Sequence, residues 1–373
     1  MDHSSPLRVL LVAPSPPPYG GMALQARQLE RLLRGEGHEV TFLASNFALP
    51  RILNRLPGVR TLARAVLIWW KLARAVRKAE MVHVLAASWV YFFFVVYPAV
   101  TVGYVSRRRV IVNYRGGEAK AFFRRYGWLA WPVFQMATVV TAPSEFLAEI
   151  IRERFGVSVS IVPNLLDSSM FQYRQRAAIQ PRMLVTRHLE KIYDIESVLR
   201  AFGWIQQRYP EASLWIAGTG AEETRLRTLA ADWGLRNVSF LGPVAHRDLP
   251  AIYDQCDIYL NASRADNFPG ALVEASAAGL VVVTTAAGGI PFLYRNGETA
   301  FLVEPGDWKA LAAAVQNVLE EPAKALAVAR AATAVARACS WSEVRKRLYA
   351  AYGRGEGSAR TIATKEGTGC VVG

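Results

Sequence analysis

Cysteine is scarce in this chain. The three cysteines among 373 residues, Cys256, Cys339 and Cys370, stand far apart and show neither the paired spacing of a metal site nor that of a redox motif. A disulfide scaffold is therefore excluded, and we expect a reduced, cytoplasmic compartment. Asp2 and His3 stand where a secretory leader would carry cations, so no signal peptide is expected.

Acidic side chains are nearly missing from one stretch of the chain. Between residues 51 and 125 there are 15 Lys and Arg, but only Glu80 and Glu118 oppose them. Residues 1–163 carry 21 basic and 9 acidic side chains, a net charge of +12, whereas the other 210 residues carry 23 and 21, a net charge of +2. The basic half predicts a polyanionic partner, which is an anionic membrane, a nucleic acid or an acidic substrate.

Long hydrophobic runs are also few, and the longest, residues 82–105, contains interruptions. His83 and Pro98 and the position inside an α/β pattern argue against a transmembrane span. We interpret the run as a strand over residues 81–85, a loop and a very apolar helix that ends at Arg107. Partial insertion into one membrane leaflet remains a stronger alternative than a span.

Residues 59–79 have the pattern of a cationic amphipathic helix. Its cations are Arg60, Arg64, Lys71, Arg74 and Lys78, and its apolar positions are Leu62, Val66, Trp69, Ala73 and Val76. The composition suits a helix at a membrane interface, and it equally suits a surface helix whose apolar stripe packs into the core. In a third possibility Trp70 faces outward while the stripe is buried.

Apolar strands alternate with helices along the whole chain. Residues 7–13 form a strand, and a Pro-rich loop ending in Gly20-Gly21 separates it from a helix and a further strand. The alternation restarts at residue 182, so we predict an α/β protein of two Rossmann-like, doubly wound parallel-sheet domains facing a central cleft. The predicted parts are a first domain (1–165), a second domain (166–339), a helix returning to the first domain (340–352) and a disordered tail (353–373).

One stretch, residues 265–275, places two carboxylates around a helix start. Asp266 precedes a helix that begins near Pro269, and Glu274 lies about a turn and a half inside it. The free N–H groups and positive dipole end of that helix favour an anion or an oxygen-rich ligand. The alternative is a solvated loop Asp and an ordinary helix Glu.

Two further loops follow predicted strands of the second half. Arg187 and Lys191, four residues apart, put two cations within reach of one phosphate group, although such pairs are often merely solvated. Gly218-Thr219-Gly220 is similar to a fragment of a nucleotide-binding loop. In the first half the spaced G-x-G-x-x-G motif is missing, and Gly20 and Gly21 would instead let a ligand approach the backbone closely.

The order of these motifs resembles that of the retaining glycosyltransferases of family 4, which have the GT-B fold. The resemblance covers nearly the whole chain to about residue 352. Further matching motifs are Val162-Pro163-Asn164, Phe240-Leu241-Gly242 and the run from Gly297 through Leu302-Val303 to Pro305-Gly306-Asp307.

The resemblance implies a catalytic set of Asp266, Arg187, Lys191 and Glu274. Arg187 and Lys191 would neutralise the donor diphosphate and the charge that grows on the leaving group. Glu274 would accept hydrogen bonds from the ribose, and Asp266 would face the hydroxyls of the donor sugar. The other donor-binding residues would be Gly20, Gly21, Gly218, Val244 (near the base), Asn267, and Phe268, Pro269 and Gly270, which would present backbone amides.

Three positions depart from the family pattern. Arg115 stands where the family commonly has His, in a loop that faces the donor sugar across the cleft, so Arg115 and Glu118 are expected to face the acceptor. An always-protonated Arg cannot act as a base, although it can bind an anionic group. Asp266 stands in place of the usual Glu, and Phe292 in place of an acid.

Together these features predict an enzyme that moves a sugar from a UDP- or GDP-sugar to a hydroxyl of a membrane-associated, lipid-linked glycan in polysaccharide or glycolipid synthesis. No cofactor and no metal are expected, because the cations are Arg187 and Lys191. We expect the protein to attach through residues 51–125 to the inner face of the plasma membrane, and to bind no nucleic acid. The alternatives are a sugar-nucleotide epimerase of the same fold and a non-enzymatic membrane- or nucleic-acid-binding protein.

Overall fold

A computed structural model describes residues 5–17, 20–47 and 59–354. In these parts the first sheet and its helices are β1 (Arg8–Ala13), α1 (Gly21–Gly35), β2 (Glu39–Ala44), α2 (Val59–Ala75), β3 (Met81–Ala86), α3 (Tyr97–Val105), β4 (Arg109–Tyr114), α4 (Ala119–Met136), β5 (Val139–Ala142), α5 (Glu145–Phe155) and β6 (Val159–Ile161). The predicted tail from residue 355 onwards and the basic positions 51–58 lie outside the described residues.

The second sheet and its helices follow after a connection over residues 162–181. They are β7 (Arg182–Thr186), α6 (Ile195–Arg208), β8 (Ser213–Ala217), α7 (Glu223–Asp232), β9 (Val238–Gly242), α8 (Leu249–Gln255), β10 (Ile258–Asn261), α9 (Gly270–Ala278), β11 (Val281–Thr285), β12 (Phe301–Val303), α10 (Trp308–Glu320), α11 (Pro322–Ala338) and α12 (Trp341–Ala351). The Ala-rich region after residue 308 is thus two helices, divided at Pro322, which suits a first helical turn.

Both sheets have six parallel strands, in the orders β2-β1-β3-β4-β5-β6 and β12-β11-β10-β7-β8-β9. Apolar clusters cover both faces of each sheet. This confirms the predicted pair of doubly wound domains. In each sheet the strand order reverses once, between β1 and β3 and between β7 and β10, and such a reversal opens a crevice at the carboxyl ends of the strands.

The predicted apolar stripe of residues 59–79 is wrong at Val66, Trp69 and Ala73 and is confirmed at Val76. The helix buries Ile68, Leu72 and the following Val76, whereas Val66 and Trp69 of the predicted stripe are exposed. The side chain of Leu62 lies outside the part of the chain that the structure describes. This burial comes from the packing of α2 against α3, against the residues just before α3 and against β2. Of the helices in the described parts, none combines the length and apolarity that crossing a bilayer requires.

Two passages of chain join the domains, and they are bonded to each other. Leu165 packs into the core of the first domain and Leu166 into that of the second. The N–H of Leu166 donates to the carbonyl of Cys339 (2.9 Å), where the chain returns. After this return α12 packs on the first sheet, with Val344, Leu348 and Tyr352 in its core.

Buried charge fixes the first passage to the second domain. Asp257 is 1% exposed and accepts hydrogen bonds from Arg176 (2.9 Å) and Arg182 (2.8 Å). Arg176, also buried, donates to the carbonyls of Tyr253 and Ala278, at the ends of α8 and α9. Because a buried ion pair needs such hydrogen bonds to offset its desolvation, this cluster holds the connection in one conformation.

Candidate active site

The predicted site lies where the order of the second sheet reverses. Arg187 directly follows β7, and the loop that carries Asp266 follows β10, the strand beside β7. The carboxyl ends of neighbouring parallel strands meet at one edge, so residues 79 positions apart are brought together.

Arg187 and Asp266 form an ion pair at this edge. Arg187 Nη2 donates to Asp266 Oδ2 (2.8 Å), and Arg187 Nε donates to Asn261 Oδ1 (3.1 Å). The guanidinium also lies 5.2 Å from the ring centre of Tyr193. Burial is the largest single effect and lowers the pKa of Arg187, but the charge of Asp266 and the nearby tyrosine hydroxyls together outweigh it, so the net pKa is raised. The cation is therefore permanent, and its Nη1 donates to no atom of the described residues.

The Asp266 loop is held by a close glycine contact. The N–H of Gly289 donates to the carbonyl of Asp266 (2.7 Å), and a Cβ on Gly288 would lie 2.2 Å from the same oxygen. Asp266 Oδ1 in turn accepts the N–H of Phe268 (3.1 Å). Both carboxylate oxygens thus have partners, so the loop presents Asp266 in a fixed orientation.

Glu274 lies in α9 and is held by two donors. Its Oε1 is 3.2 Å from His246 Nε2, and its Oε2 accepts a hydrogen bond from the hydroxyl of Tyr253 (3.1 Å). The hydrogen bond to Glu274 raises the pKa of His246, against a smaller effect of burial. Val244, predicted to lie near the base, is two residues before this histidine.

A tyrosine pair lies beneath these groups. The rings of Tyr253 and Tyr259 stack at 6.0 Å, and both hydroxyls contact Thr186 Oγ1, at 2.7 and 3.1 Å. Our sequence reasoning missed His246, Tyr253, Tyr259 and Asn261. The sequence did contain a signal for Tyr259 and Asn261, because polar atoms inside the buried strand β10 require hydrogen-bond partners.

Lys191 lies exposed at the edge of a cavity of about 380 Å³ that Asp194, Glu222 and Arg264 also line. Arg264 Nη2 lies 2.8 Å from Asp194 Oδ2, and the N–H of Arg264 donates to the carbonyl of Ile192 (2.8 Å). These contacts tie the loop that carries Lys191 to the loop that carries Asp266.

The predicted donor glycines have different surroundings. A Cβ on Gly218 would lie 1.9 Å from the carbonyl oxygen of Arg187, so this glycine allows two loops to touch. Gly21 begins α1 and Gly20 directly precedes it, and a Cβ on either would meet nothing within 4 Å. Open space at a helix start leaves room for an anionic ligand.

Arg115 lies in the opposite wall of the cleft, after β4. Its Nε donates to Asn113 Oδ1 (3.0 Å) and its Nη1 to Asn164 Oδ1 (2.7 Å). Burial lowers the pKa of Arg115 to about 10. Glu118 is exposed and accepts a hydrogen bond from Trp89 Nε1 (2.6 Å).

Two contacts close the cleft between the domains. Asn267 Nδ2 donates to the carbonyl of Gly116 (2.6 Å), and the ring of Phe292 lies 6.0 Å from that of Phe146. Phe292, which replaces an acid of the family pattern, therefore contributes an apolar contact between domains.

The expectation that Phe268, Pro269 and Gly270 all present amides to the donor needs correction. Pro269 has no N–H, and the N–H of Phe268 is bonded to Asp266. Gly270 begins α9, where first-turn N–H groups have no partner within the helix. Among the described residues, no cluster of three or more His, Cys, Asp or Glu has the arrangement of a metal site.

Sequence profiles of two known families match consecutive parts of the chain. The profile described as "Glycosyltransferase Family 4" matches residues 19–169, and that described as "Glycosyl transferases group 1" matches residues 171–335. Each match falls on one of the two sheets and its helices.

Individual proteins are similar to this chain over most of its length. The glycogen synthase of Mycobacterium tuberculosis is 26% identical, over 87% of this chain and 89% of its own. A GDP-mannose-dependent phosphatidylinositol monomannoside mannosyltransferase of Mycolicibacterium smegmatis is 26% identical, over 59% of this chain and 63% of its own. Among solved structures, HepE of Anabaena in complex with UDP and glucose superposes with a TM-score of 0.72 and 16% identity, over 93% of this chain and 99% of HepE, which shows a shared fold.

Proposed function

The chain belongs to the group 1, family 4 glycosyltransferases, and from that membership we propose that it transfers a sugar from a nucleoside-diphosphate donor to a hydroxyl of a lipid-linked glycan at a membrane surface. We propose further that the anomeric configuration is retained and that no metal ion is needed. The supporting observation is the meeting of Arg187 and Asp266 at the crevice of the second sheet, with Lys191 and Glu274 on adjoining elements.

Each group has a separate task in this reaction. The free Nη1 of Arg187 and the ammonium of Lys191 bind the diphosphate and stabilise the charge that develops on it as the glycosidic bond breaks. Glu274 accepts hydrogen bonds from the ribose hydroxyls, and Asp266 accepts one from the sugar. The incoming hydroxyl attacks the face that the diphosphate leaves, and the departing phosphate oxygen takes its proton. No side-chain base is then required, which is compatible with Arg115.

The donor base is uracil or guanine. HepE contains UDP, and the Mycolicibacterium enzyme is named for GDP-mannose, so both remain candidates. Nucleotides that bind only the folded chain raise its unfolding temperature, so thermal shifts with UDP, GDP and ADP identify the base. A chain stabilised by none of the three at millimolar concentration would contradict the proposal.

Transfer assays with Asp266→Ala and Glu274→Ala test the site. Loss of a charge-assisted hydrogen bond costs about 1.5–3 kcal/mol, so each variant should lose roughly 10- to 100-fold in kcat/KM. Glu304→Ala, in an exposed loop of the second domain, is the matched control. Full turnover in both site variants would overturn the assignment. The product anomer, read by NMR, tests retention, and activity in EDTA tests metal independence.

An aromatic surface on the first domain supports a membrane-bound acceptor. Helices α2, α3 and α4 lie side by side, and each carries exposed large hydrophobic side chains. We define the aromatic surface by its exposed large hydrophobic residues, which are Val66, Trp69, Trp70, Val90, Phe94, Tyr104, Val105, Trp128 and Trp131. Its exposed cations are Arg64, Arg74, Arg77, Lys78, Arg107, Arg124 and Arg125.

Tryptophan beside exposed cations suits an interface with anionic lipid. Trp128 and Trp131, at 71% and 51% exposure, extend this surface beyond the predicted limit at residue 125. We propose that the aromatic surface attaches the enzyme to the inner face of the plasma membrane, next to its acceptor.

A further inference from the structure

Arg115 is a partly buried cation whose hydrogen-bond partners are neutral. Two amide oxygens, of Asn113 and Asn164, accept its Nε–H and one Nη1–H. Within the described residues it has no carboxylate partner, and its Nη2 donates to none of their atoms. At least two N–H groups of the guanidinium are therefore available to a ligand.

The two cleft arginines differ in charge balance. Arg187 has the carboxylate of Asp266 at 2.8 Å, and its pKa is raised. Arg115 has no such partner, and desolvation lowers its pKa to about 10. Removing a charge from water without a counter-charge costs free energy, so the protein keeps Arg115 in place at the expense of stability. An anionic ligand would supply the missing charge.

The surroundings of Arg115 are polar although the sheet is apolar. Asn113 is paired in register with Thr141, and both are buried. Thr141 Oγ1 and His83 Nε2 are buried polar atoms without a hydrogen-bond partner. Buried polar atoms in native proteins are nearly always satisfied, so these two atoms leave unused hydrogen-bonding capacity near Arg115.

Arg115 lies next to a contact with the donor motif. Gly116, the next residue, accepts the hydrogen bond of Asn267 from the other domain. Asn267 adjoins Asp266, which faces the donor sugar in the proposed function. A group bound by Arg115 therefore lies beside the sugar that is transferred.

We propose that Arg115, Asn113 and Asn164 bind an oxyanion, a carboxylate or phosphate group, that the substrate carries next to the transferred sugar. The inference rests on the proposed function and specifies its substrate class. Two sources supply this chemistry: a uronic-acid sugar on the donor, or an acidic group on the acceptor. A planar guanidinium binds either oxyanion through two parallel hydrogen bonds.

Calorimetry with matched ligands tests the proposal and separates the sources. The first arm compares UDP-glucose with UDP-glucuronate, and GDP-mannose with GDP-mannuronate. The second arm titrates inorganic phosphate into protein saturated with UDP or GDP. We expect a preference of about tenfold or more for the anionic donor, or saturable phosphate binding, because a charge-assisted hydrogen bond is lost with the neutral ligand.

Substitution links the effect to Arg115. In Arg115→Gln the anionic preference should fall to about onefold, and Arg115→Lys should restore part of it. Arg330→Gln, which removes an exposed charge from α11, should keep the full preference. Whichever effect the wild type shows, the donor preference or the phosphate binding, its persistence at full strength in Arg115→Gln overturns the inference, as does the lack of both effects in wild type.

A second variant supplies the anion from the protein itself. Asn164→Asp places a carboxylate where Oδ1 now lies 2.7 Å from Arg115 Nη1. We expect the unfolding temperature to rise and the anionic preference to disappear, and a retained preference contradicts the inference. If neither UDP nor GDP binds the wild type, the proposed function fails. If one binds without any oxyanion effect, only this inference fails.

Discussion

At the scale of single residues, two chemically different side chains orient the carboxylate of Glu274. A neutral tyrosine hydroxyl holds one oxygen, and the titratable ring of His246 holds the other. The hydrogen bond to Glu274 raises the pKa of His246. The bond therefore contributes its full stability at pH values below the pKa of His246 in the unfolded chain, which is about 6.5. This contribution is lost as the pH rises through the higher pKa that His246 has in the folded chain.

The resulting prediction concerns His246→Gln. The difference between wild type and variant in free energy of unfolding should be larger at about pH 5.5 than at about pH 8.5, because only the protonated ring interacts with the carboxylate as an ion. Urea denaturation at both values measures the difference. A difference that grows toward alkaline pH would contradict the assigned ion pair.

A second prediction concerns two glycines with positive φ. Gly218 (φ 148°) lies against the Arg187 carbonyl, whereas a Cβ on Gly234 (φ 61°) would meet nothing within 4 Å. Gly234→Ala should cost about 1 kcal/mol of stability, from backbone strain alone. Gly218→Ala must also displace the Arg187 loop.

We therefore expect Gly218→Ala to cost more stability than Gly234→Ala and to weaken binding of the diphosphate that the thermal-shift screen selects. Thermal denaturation and calorimetry measure the two effects. Equal losses of diphosphate affinity in the two variants would show that the contact with the Arg187 loop has no influence on the donor site.

The sequence predicts the site residues only through the order of their motifs. Arg187 and Asp266 are separated by 79 positions, so no local spacing reveals that they form an ion pair. His246 and Tyr253 stand in segments without a recognisable motif, and they become site residues because α8 and the loop before it pack beside α9. Each contact depends on tertiary packing rather than on local pattern.

At the scale of elements, α12 joins the first domain through two tyrosine–histidine contacts. The Tyr352 hydroxyl lies 2.7 Å from His83 Nδ1, and the Tyr349 hydroxyl lies 2.7 Å from His38 Nε2. The first pair is buried and the second is partly exposed. Burial lowers the pKa of His83 to about 3, so that ring is neutral in ordinary buffers.

The two pairs offer a matched comparison. Tyr352→Phe leaves a buried imidazole nitrogen without a partner and should cost about 1–3 kcal/mol of unfolding free energy. Tyr349→Phe should cost less, because water reaches His38 and replaces the hydroxyl. Denaturant unfolding of both variants measures the order, and a larger loss for Tyr349→Phe would contradict the buried docking of α12.

Strands are easier to predict here than helix faces. Buried parallel strands are continuous apolar runs, so β1 and β3 lie within one residue of their predicted positions, 7–13 and 81–85. Helix α2 has apolar residues on more than one side, and its sequence does not say which side meets α3. The burial of Ile68 and Leu72, in line with the predicted Val76, is therefore identified only by the structure.

At the scale of the whole molecule, the aromatic surface is confined to the first domain. Trp128→Ser with Trp131→Ser should reduce binding to vesicles of anionic phospholipid at least tenfold, since each buried aromatic side chain contributes about 1.5–3 kcal/mol. Vesicle flotation measures the change, and raised salt should weaken binding of the wild type.

Trp204→Ser provides the control, because Trp204 is 42% exposed on the second domain. This variant should float like wild type. If the double variant also floats like wild type, the aromatic surface is not the attachment site. Preferential binding of an oligonucleotide at matched salt would instead favour the nucleic-acid alternative.

The hydrogen bond between Leu166 and Cys339 has a mechanical consequence. One connecting segment of chain allows two domains to rotate about any axis. Two connecting segments that are hydrogen-bonded to each other resist twisting and allow rotation about one axis. The hydrogen bond from Asn267 to Gly116 then stabilises the closed cleft. We expect the cleft to open and close by rotation about this one axis, which would return Arg115 and Asp266 to the same relative positions after each opening.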